Sequence, residues 1–323
     1  MKPQIIIFSY LFLISIFCSA LPSQDAHALN AIASIKSLNG NVQVQRKNHI
    51  LAARSGLVLN DKDMVKTLNN GRVTLLFRDG SEVRLFANTT FIIEKTSESK
   101  GKKRRFINLF KLKLGSLWGK FSRSSKKTMI ITPTATAGIK GTNLTLSEQD
   151  NRLDVSLSSG KVELENDDQI FELNPGLQVK GIEKTGTFDH KVTPIPYRIQ
   201  LRAVEELKIP KDGSNELNFT VQLVRTNGNQ NVSQSANIYF SSNIDKISFP
   251  DVKLNNRGFA NFKANVQPFQ KADFDKGRIE IYAIADADNN LDIASGYLSL
   301  FFAKPKSSSQ TLRINASTGE LTP

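Results

Sequence analysis

Along the first half of the chain, short runs of alternating apolar and polar residues each begin at a glycine. Gly40-Asn41-Val42-Gln43-Val44, Gly71-Arg72-Val73-Thr74-Leu75, Gly80-Ser81-Glu82-Val83-Arg84-Leu85, Gly141-Thr142-Asn143-Leu144-Thr145-Leu146 and Gly160-Lys161-Val162-Glu163-Leu164 share this form. A period of two is that of a strand with one buried face. A turn-plus-strand unit that recurs, each too small to bury its face alone, predicts stacked rungs. The spacing between units is irregular, so a distorted solenoid or a sandwich is expected over residues 29–182. Phe110-Lys111-Leu112-Lys113-Leu114 alternates strictly and predicts a strand with one apolar and one basic face.

Gly186, Pro194 and Pro196 interrupt the pattern and mark residues 183–204 as a linker. Alternation resumes beyond it, in Asn218–Val224, Ala236–Ser241, Ala260–Val266, Arg278–Ile284 and Tyr297–Phe301, with Asn/Gly turns such as Thr226–Asn229 between. Regular short strands split in this way predict a second β domain, a sandwich over residues 205–303. The Ser- and Thr-rich residues 304–323 read as a disordered tail.

The N-terminus reads as an export signal spanning residues 1–28. Lys2 precedes an apolar run from Ile5 to Ala20, and Ala26-His27-Ala28 has the small-x-small form of a cleavage site, which places the mature start at Leu29. The run is short for a membrane span, and no later run approaches that length. Phe17 and Ser15 depart from the pattern that lipid attachment at Cys18 needs. Cleavage removes Cys18, the only cysteine, so the mature chain has no thiol chemistry and its domains rest on their cores alone. With 323 residues, 39% of them hydrophobic, the chain is long and apolar enough for two domains.

Met129–Leu146 reads as strand, corner, strand, broken at Pro133 and passing through Ala135, Ala137, Gly138 and Gly141. Pro133 pushes Thr132 to an extended conformation, and the two glycines permit angles or approaches that a Cβ forbids. A phosphate loop is excluded, because the Lys-Ser/Thr ending is missing and a strand follows. Thr132-Pro133-Thr134-Ala135-Thr136-Ala137-Gly138-Ile139-Lys140-Gly141-Thr142 resembles the signature of the FecR domain, T-P-x-A-x-A-G-[VI]-[RK]-G-T. Asp79–Leu85, Gly115–Trp118 and Gly160–Leu164 resemble the flanking strands of that family, and the resemblance covers roughly residues 35–182. It implies an all-β chain whose first domain is a twisted, β-solenoid-like fold, with Thr132, Pro133, Ala137, Gly138, Gly141 and Thr142 as structural signature residues. Val221–Val232 and Leu254–Ala264 resemble bacterial Ig-like domains of the invasin and intimin type, which implies an Ig-like second domain.

The formal net charge of +13 concentrates in Ser99–Lys127. Lys102, Lys103, Arg104, Arg105, Lys111 and Lys113 are candidate contacts for an anionic partner: a lipid head group, lipopolysaccharide, a cell-wall polymer or an acidic protein face. The alternative is a solvated hairpin tip followed by an edge strand guarded by lysine. The interleaved Phe110, Trp118 and Phe121 are expected in the rung stack. Nucleic acid fits the charge but not the export signal.

Little in the chain recommends catalysis. His49 and His190 have no ligand-spaced partner, and Asp61 and Asp63 resemble a turn of the FecR domain rather than a catalytic pair. Asp286–Asp292 reads as a hairpin turn, with a calcium loop as the alternative; it lacks the Gly and closing Glu of an EF-hand. No cofactor or metal is expected. The function expected is that of a non-enzymatic envelope protein whose FecR-like domain binds a partner and whose Ig-like domain spaces or presents it. The alternative is a periplasmic signalling protein related to FecR-type sigma-factor regulators, which carry a cytoplasmic anti-sigma region and a membrane helix where this chain has a signal segment.

Overall fold

The computed structural model describes residues 31–99, 105–204, 215–228, 230–285, 295–301, 313–314 and 321–322. The expected signal segment, Lys102, Lys103, Arg104 and Asp286–Asp292 lie outside them. Of the expected tail, Arg313–Ile314 and Leu321–Thr322 are described and pair with each other.

The first unit is one sheet of 15 strands. They are β1 (Ala33–Asn39), β2 (Val42–Arg46), β3 (His49–Ala52), β4 (Val58–Leu59), β5 (Met64–Thr67), β6 (Arg72–Phe77), β7 (Glu82–Leu85) and β8 (Thr90–Ser99). Then come β9 (Arg105–Lys120), β10 (Ser125–Ile131), β11 (Thr136–Gln149), β12 (Arg152–Glu165), β13 (Ile170–Leu173), β14 (Leu177–Ile182) and β15 (Val192–Pro194). The long strands fold the sheet over on itself. The first part of β9 pairs with β8 and, in parallel, with β10, whereas its last residues pair with β7 and β11. β11 and β12 change partners in the same way.

Each change of partner occurs at a glycine with positive φ: Gly115 (+94°), Gly141 (+61°) and Gly160 (+87°). A Cβ at Gly160 would lie 2.4 Å from the Gly141 carbonyl oxygen and 2.8 Å from Thr142 Cα, so two of these corners are stacked backbone on backbone. Only glycine permits that approach. Inside the fold lie the inward residues of both layers, among them Val73, Leu75, Phe91, Phe110, Leu112, Leu117, Phe121, Leu144, Leu146 and Val162.

The second unit has two four-stranded sheets. One runs β16 (Tyr197–Ala203), β17 (Asn215–Arg225), β21 (Phe259–Val266), β19 (Ile247–Ser248). The other runs β20 (Val252–Lys253), β18 (Asn237–Ser242), β22 (Arg278–Ala285), β23 (Ser295–Phe301). Phe219, Phe240, Phe262, Ile279 and Ile281 help to fill the core between them.

Residues 183–204 do not form one extended linker. Val192–Pro194 joins the edge of the first sheet, and Tyr197 already belongs to the second unit. The connection shrinks to Ile195-Pro196, tied on each side: Ile195 N–H donates to Gly176 at 2.9 Å, and Thr226 N–H donates to the Pro196 carbonyl at 2.9 Å. Proline is tolerated at 194 because it lies on an edge strand.

Candidate interdomain site

The second unit docks on the outer face of the first sheet, the face that alternation assigns to solvent. From β6, β7 and β9 this face presents Thr74, Glu82, Arg84, Trp118 and Lys120. From β18 and β22 the partner sheet presents Tyr239, Ser241, Glu280, Tyr282 and Ile284. Glu82, 2% exposed, accepts hydrogen bonds from Ser241 Oγ (2.7 Å), Lys36 Nζ (3.2 Å) and Tyr239 Oη (3.4 Å). The Arg84 guanidinium lies 3.6 Å from the Tyr239 ring centroid and donates to Thr74 Oγ1, which in turn donates to Tyr239 Oη. Phe86, Trp118, Tyr282 and Ile284 form an apolar cluster of their own, with Tyr239 against it. The ring centroids of Trp118 and Tyr282 are 5.8 Å apart.

Beside this seam lies a groove of about 610 Å³. The first unit contributes Lys120, Arg123, Gly141, Asn143 and Ser159, and the second contributes Arg278, Glu280, Tyr282 and Ser299. Burial pushes the Lys120 ammonium below its ordinary pKa, against the attraction of Glu82 and Glu280. It faces the Tyr282 ring at 4.7 Å. Burial, chiefly, and then the neighbouring Glu280 carboxylate raise the Tyr282 phenol well above its usual value. Tyr282 Oη donates to Glu280 Oε2 at 3.0 Å, and Glu280 is paired with Arg278 at 2.5 Å.

The predicted site residues that are described fall into two separate places, and neither set forms the seam. Lys111 is paired with Glu94 at 3.2 Å, and Glu94, also held by Lys62, sits below the ordinary carboxylate range. Lys113 is exposed at a bulge: Phe91 pairs with Leu112 and Thr90 with Leu114, which leaves Lys113 as the extra residue. The strict alternation therefore fails at its end, and Leu114 is 48% exposed instead of buried. Arg105 is the first residue of β9. Phe110 and Phe121 are in the core as expected, but Trp118, also buried, points out of the stack into the seam.

The signature forms a corner. Thr132 Oγ1 accepts from Thr134 N–H (3.1 Å) and Ala135 N–H (3.0 Å), and Thr132 N–H donates to the Ala135 carbonyl (2.9 Å). Pro133 sits within that loop, where no N–H is called for. Ala137 is in the core, and Thr142 Oγ1 donates to the Lys161 carbonyl at 3.0 Å. Gly138 departs from expectation: its φ is ordinary, and an added Cβ would meet nothing nearer than Glu163 at 3.7 Å. Gly141 has positive φ and also lies under the Arg123 side chain, on the groove wall.

Asp61 and Asp63 have the expected turn role. Asp63, fully buried, takes the Arg46 guanidinium through two atoms at 2.9 and 2.6 Å, and this contact raises the Arg46 pKa further. Asp61 accepts from Thr96 N–H at 2.7 Å. Among the described residues no group of three or more His, Cys, Asp or Glu side chains gathers to hold a metal, and no helix is long and apolar enough to cross a membrane.

The groove and seam residues Asn143, Tyr239, Arg278 and Tyr282 stand out nowhere in the sequence, and Lys120 and Arg123 only as members of the basic stretch Ser99–Lys127. One signal was present: β22 reads Ile281-Tyr282-Ala283-Ile284-Ala285, an unbroken buried run of the kind found when a strand is covered on both faces.

Residues 63–163 match the family model described as FecR protein. None of the curated proteins matches the chain. Two crystal structures of a candidate anti-sigma factor from Parabacteroides distasonis ATCC 8503, at 1.65 and 2.50 Å, are similar at 19% identity and a TM-score of 0.34. The match covers 41% of this chain and 59% of theirs, so the chain spans less than two thirds of their length.

Proposed function

Because residues 63–163 of this chain form a FecR domain, we propose that it is a non-enzymatic, exported cell-envelope protein. Its FecR domain binds a partner, a protein or an anionic envelope component, and the β-sandwich docked on that domain fixes and presents the binding surface. One observation carries this reading: the charged residues of the sheet face, Glu82 and Arg84, are spent on the second unit rather than left to solvent. A sandwich anchored through buried, hydrogen-bonded charge holds one orientation, which suits presentation better than tethering. The test is fractionation followed by affinity capture from envelope extracts under mild crosslinking. The mature protein is expected to begin at or near Leu29, to fractionate with the envelope, and to recover a discrete partner that a Glu82→Lys variant loses. Recovery of the chain with Met1 intact in the inner membrane overturns it. That result favours the second reading, a FecR-type signalling regulator, for which the family match itself speaks.

A further inference from the structure

The groove beside the seam has a charge distribution that docking of the two units does not explain. Glu280 is committed to Arg278 and to the Tyr282 hydroxyl. No carboxylate among the described residues lies within ion-pairing distance of Lys120 or Arg123. Among the described residues, Lys120 feels the attraction of Glu82 and Glu280 without pairing with either, and Arg123 makes no ion pair, so the wall where the two units meet carries two cations that no carboxylate caps. Around them are Ser159, which donates and accepts hydrogen bonds, and Asn143, whose amide already bonds the Tyr282 phenol and keeps further donor and acceptor capacity. At about 610 Å³ the space is far larger than a lone anion needs and falls in the range of small-molecule sites.

We infer that this groove is a binding site for an anionic saccharide, whose acid group is taken by Lys120 and Arg123 and whose hydroxyls are taken by Asn143 and Ser159. A guanidinium beside an ammonium suits a carboxylate or a phosphate alike. The amide and hydroxyl lining is what a polyhydroxylated body requires and a bare ion does not. The signature glycine has a part in this. An added Cβ at Gly141 would lie 2.5 Å from Arg123 Cγ, so glycine is what lets Arg123 lie across the wall. The desolvated ammonium of Lys120 is consistent with the assignment, since an incoming anion adds to the partial compensation that Glu82 and Glu280 supply. The inference rests on the docked arrangement of the two units and on the binding role proposed above, but not on where in the cell the chain resides.

The experiment uses the purified full chain and follows Trp118, the only tryptophan, whose ring neighbours Tyr282 at the groove. The probes are a uronic-acid trisaccharide, a sugar phosphate, a neutral trisaccharide, inorganic phosphate and an acidic peptide. Saturable binding of the uronate or of the sugar phosphate is expected, each arm identifying its own acid group. The neutral sugar should not bind, and inorganic phosphate should bind far more weakly. Arg123→Gln, at an exposed position that leaves the fold intact, should weaken binding by about tenfold or more, as loss of a charge-assisted contact does. Lys120→Met should do the same; because Lys120 also faces the Tyr282 ring across the seam, Trp118 emission of the unliganded variant is compared with wild type to separate a lost ligand contact from an undocked unit. The inference is overturned if neither acidic sugar binds at millimolar concentration, if both variants bind as well as wild type, or if phosphate or the peptide binds as tightly as the sugars. Failure here, with a partner still captured from the envelope, leaves the proposed function standing.

Discussion

Replacing Gly160 by alanine tests the corner architecture on which the first unit depends. At φ +87° an L-residue costs about 1–2 kcal/mol from its own backbone clash. The new Cβ would also stand 2.4 Å from the Gly141 oxygen and 2.8 Å from Thr142 Cα, and these are backbone atoms of the stacked corner that cannot rotate away. Overpacking of this kind adds about 1–3 kcal/mol. The reduced freedom of the unfolded chain returns about 0.4–1 kcal/mol. The net expectation is a loss of about 1–4.5 kcal/mol. Two further glycines calibrate it. At Gly141 the obstacle is the far more yielding Arg123 side chain, so alanine should cost about 1 kcal/mol. At Gly138 the backbone is ordinary and the space is open, so alanine should be neutral or stabilising by about 0.5 kcal/mol. Urea unfolding followed by far-UV circular dichroism measures all three; with m about 2 kcal/mol/M, the Gly160→Ala midpoint should fall by about 0.5 M or more. A Gly160→Ala variant within about 0.5 kcal/mol of wild type, or Gly138→Ala as the most damaging of the three, would refute the reasoning.

Three other outcomes follow from the same geometry. Asp63→Asn removes the charge that fully buried Asp63 shares with Arg46, and it should cost about 3 kcal/mol in urea unfolding; an unchanged midpoint would show the pair to be solvated. Limited proteolysis of the intact chain should leave Ile195-Pro196 uncut, because hydrogen bonds tie both sides of it; rapid cleavage there would mean that the units are hinged. If the basic arm touches an anionic surface, sedimentation with anionic vesicles should weaken as salt rises and as Lys102, Lys103, Arg104 and Arg105 are changed to Ser. Equal sedimentation with neutral vesicles would return the arm to a solvated hairpin.

Alternation located most of the strands, because period two reports directly on which side chains are buried. It did not report where a strand bends. Gly141 and Gly160 were read as the starts of strands, yet each lies inside a longer one, since a positive-φ glycine looks the same in sequence at a turn or at a corner. Leu114 shows the related limit: one bulged residue, Lys113, moves the next side chain to the other face, and no pattern of residue types announces it. The signature corner was legible because Thr132 and Pro133 act locally. The seam was not, because Glu82 and Arg84 look like ordinary solvent-facing positions until a second unit covers them. Prolines 194 and 196 mark a linker in the sequence, whereas one sits on an edge strand and the other is held by Thr226.

The make-up of the seam sets how it should fail. Among the described residues, its apolar cluster is small: Phe86, Trp118, Tyr282 and Ile284, with Tyr239 packed against them. Beside it are polar contacts: Glu82 with three donors, Arg84 stacked on Tyr239, and Ser158 hydrogen-bonded to Ser295 at 3.0 Å. Buried ionic contacts fix an orientation more than they add net free energy, since desolvation offsets much of their attraction. Each unit, by contrast, has an extensive core of its own. Undocking should therefore precede unfolding. In a urea titration, Trp118 emission should shift to the red, as its ring loses Tyr282, before circular dichroism reports any loss of strand. Glu82→Ala should move the early transition to lower urea, because Lys36, Ser241 and Tyr239 lose their shared acceptor, while the later transition stays within about 0.5 kcal/mol of wild type. Coincident transitions in the wild type, or an equal shift of both in Glu82→Ala, would mean that the two units fold as one cooperative body and that the seam belongs to their common core.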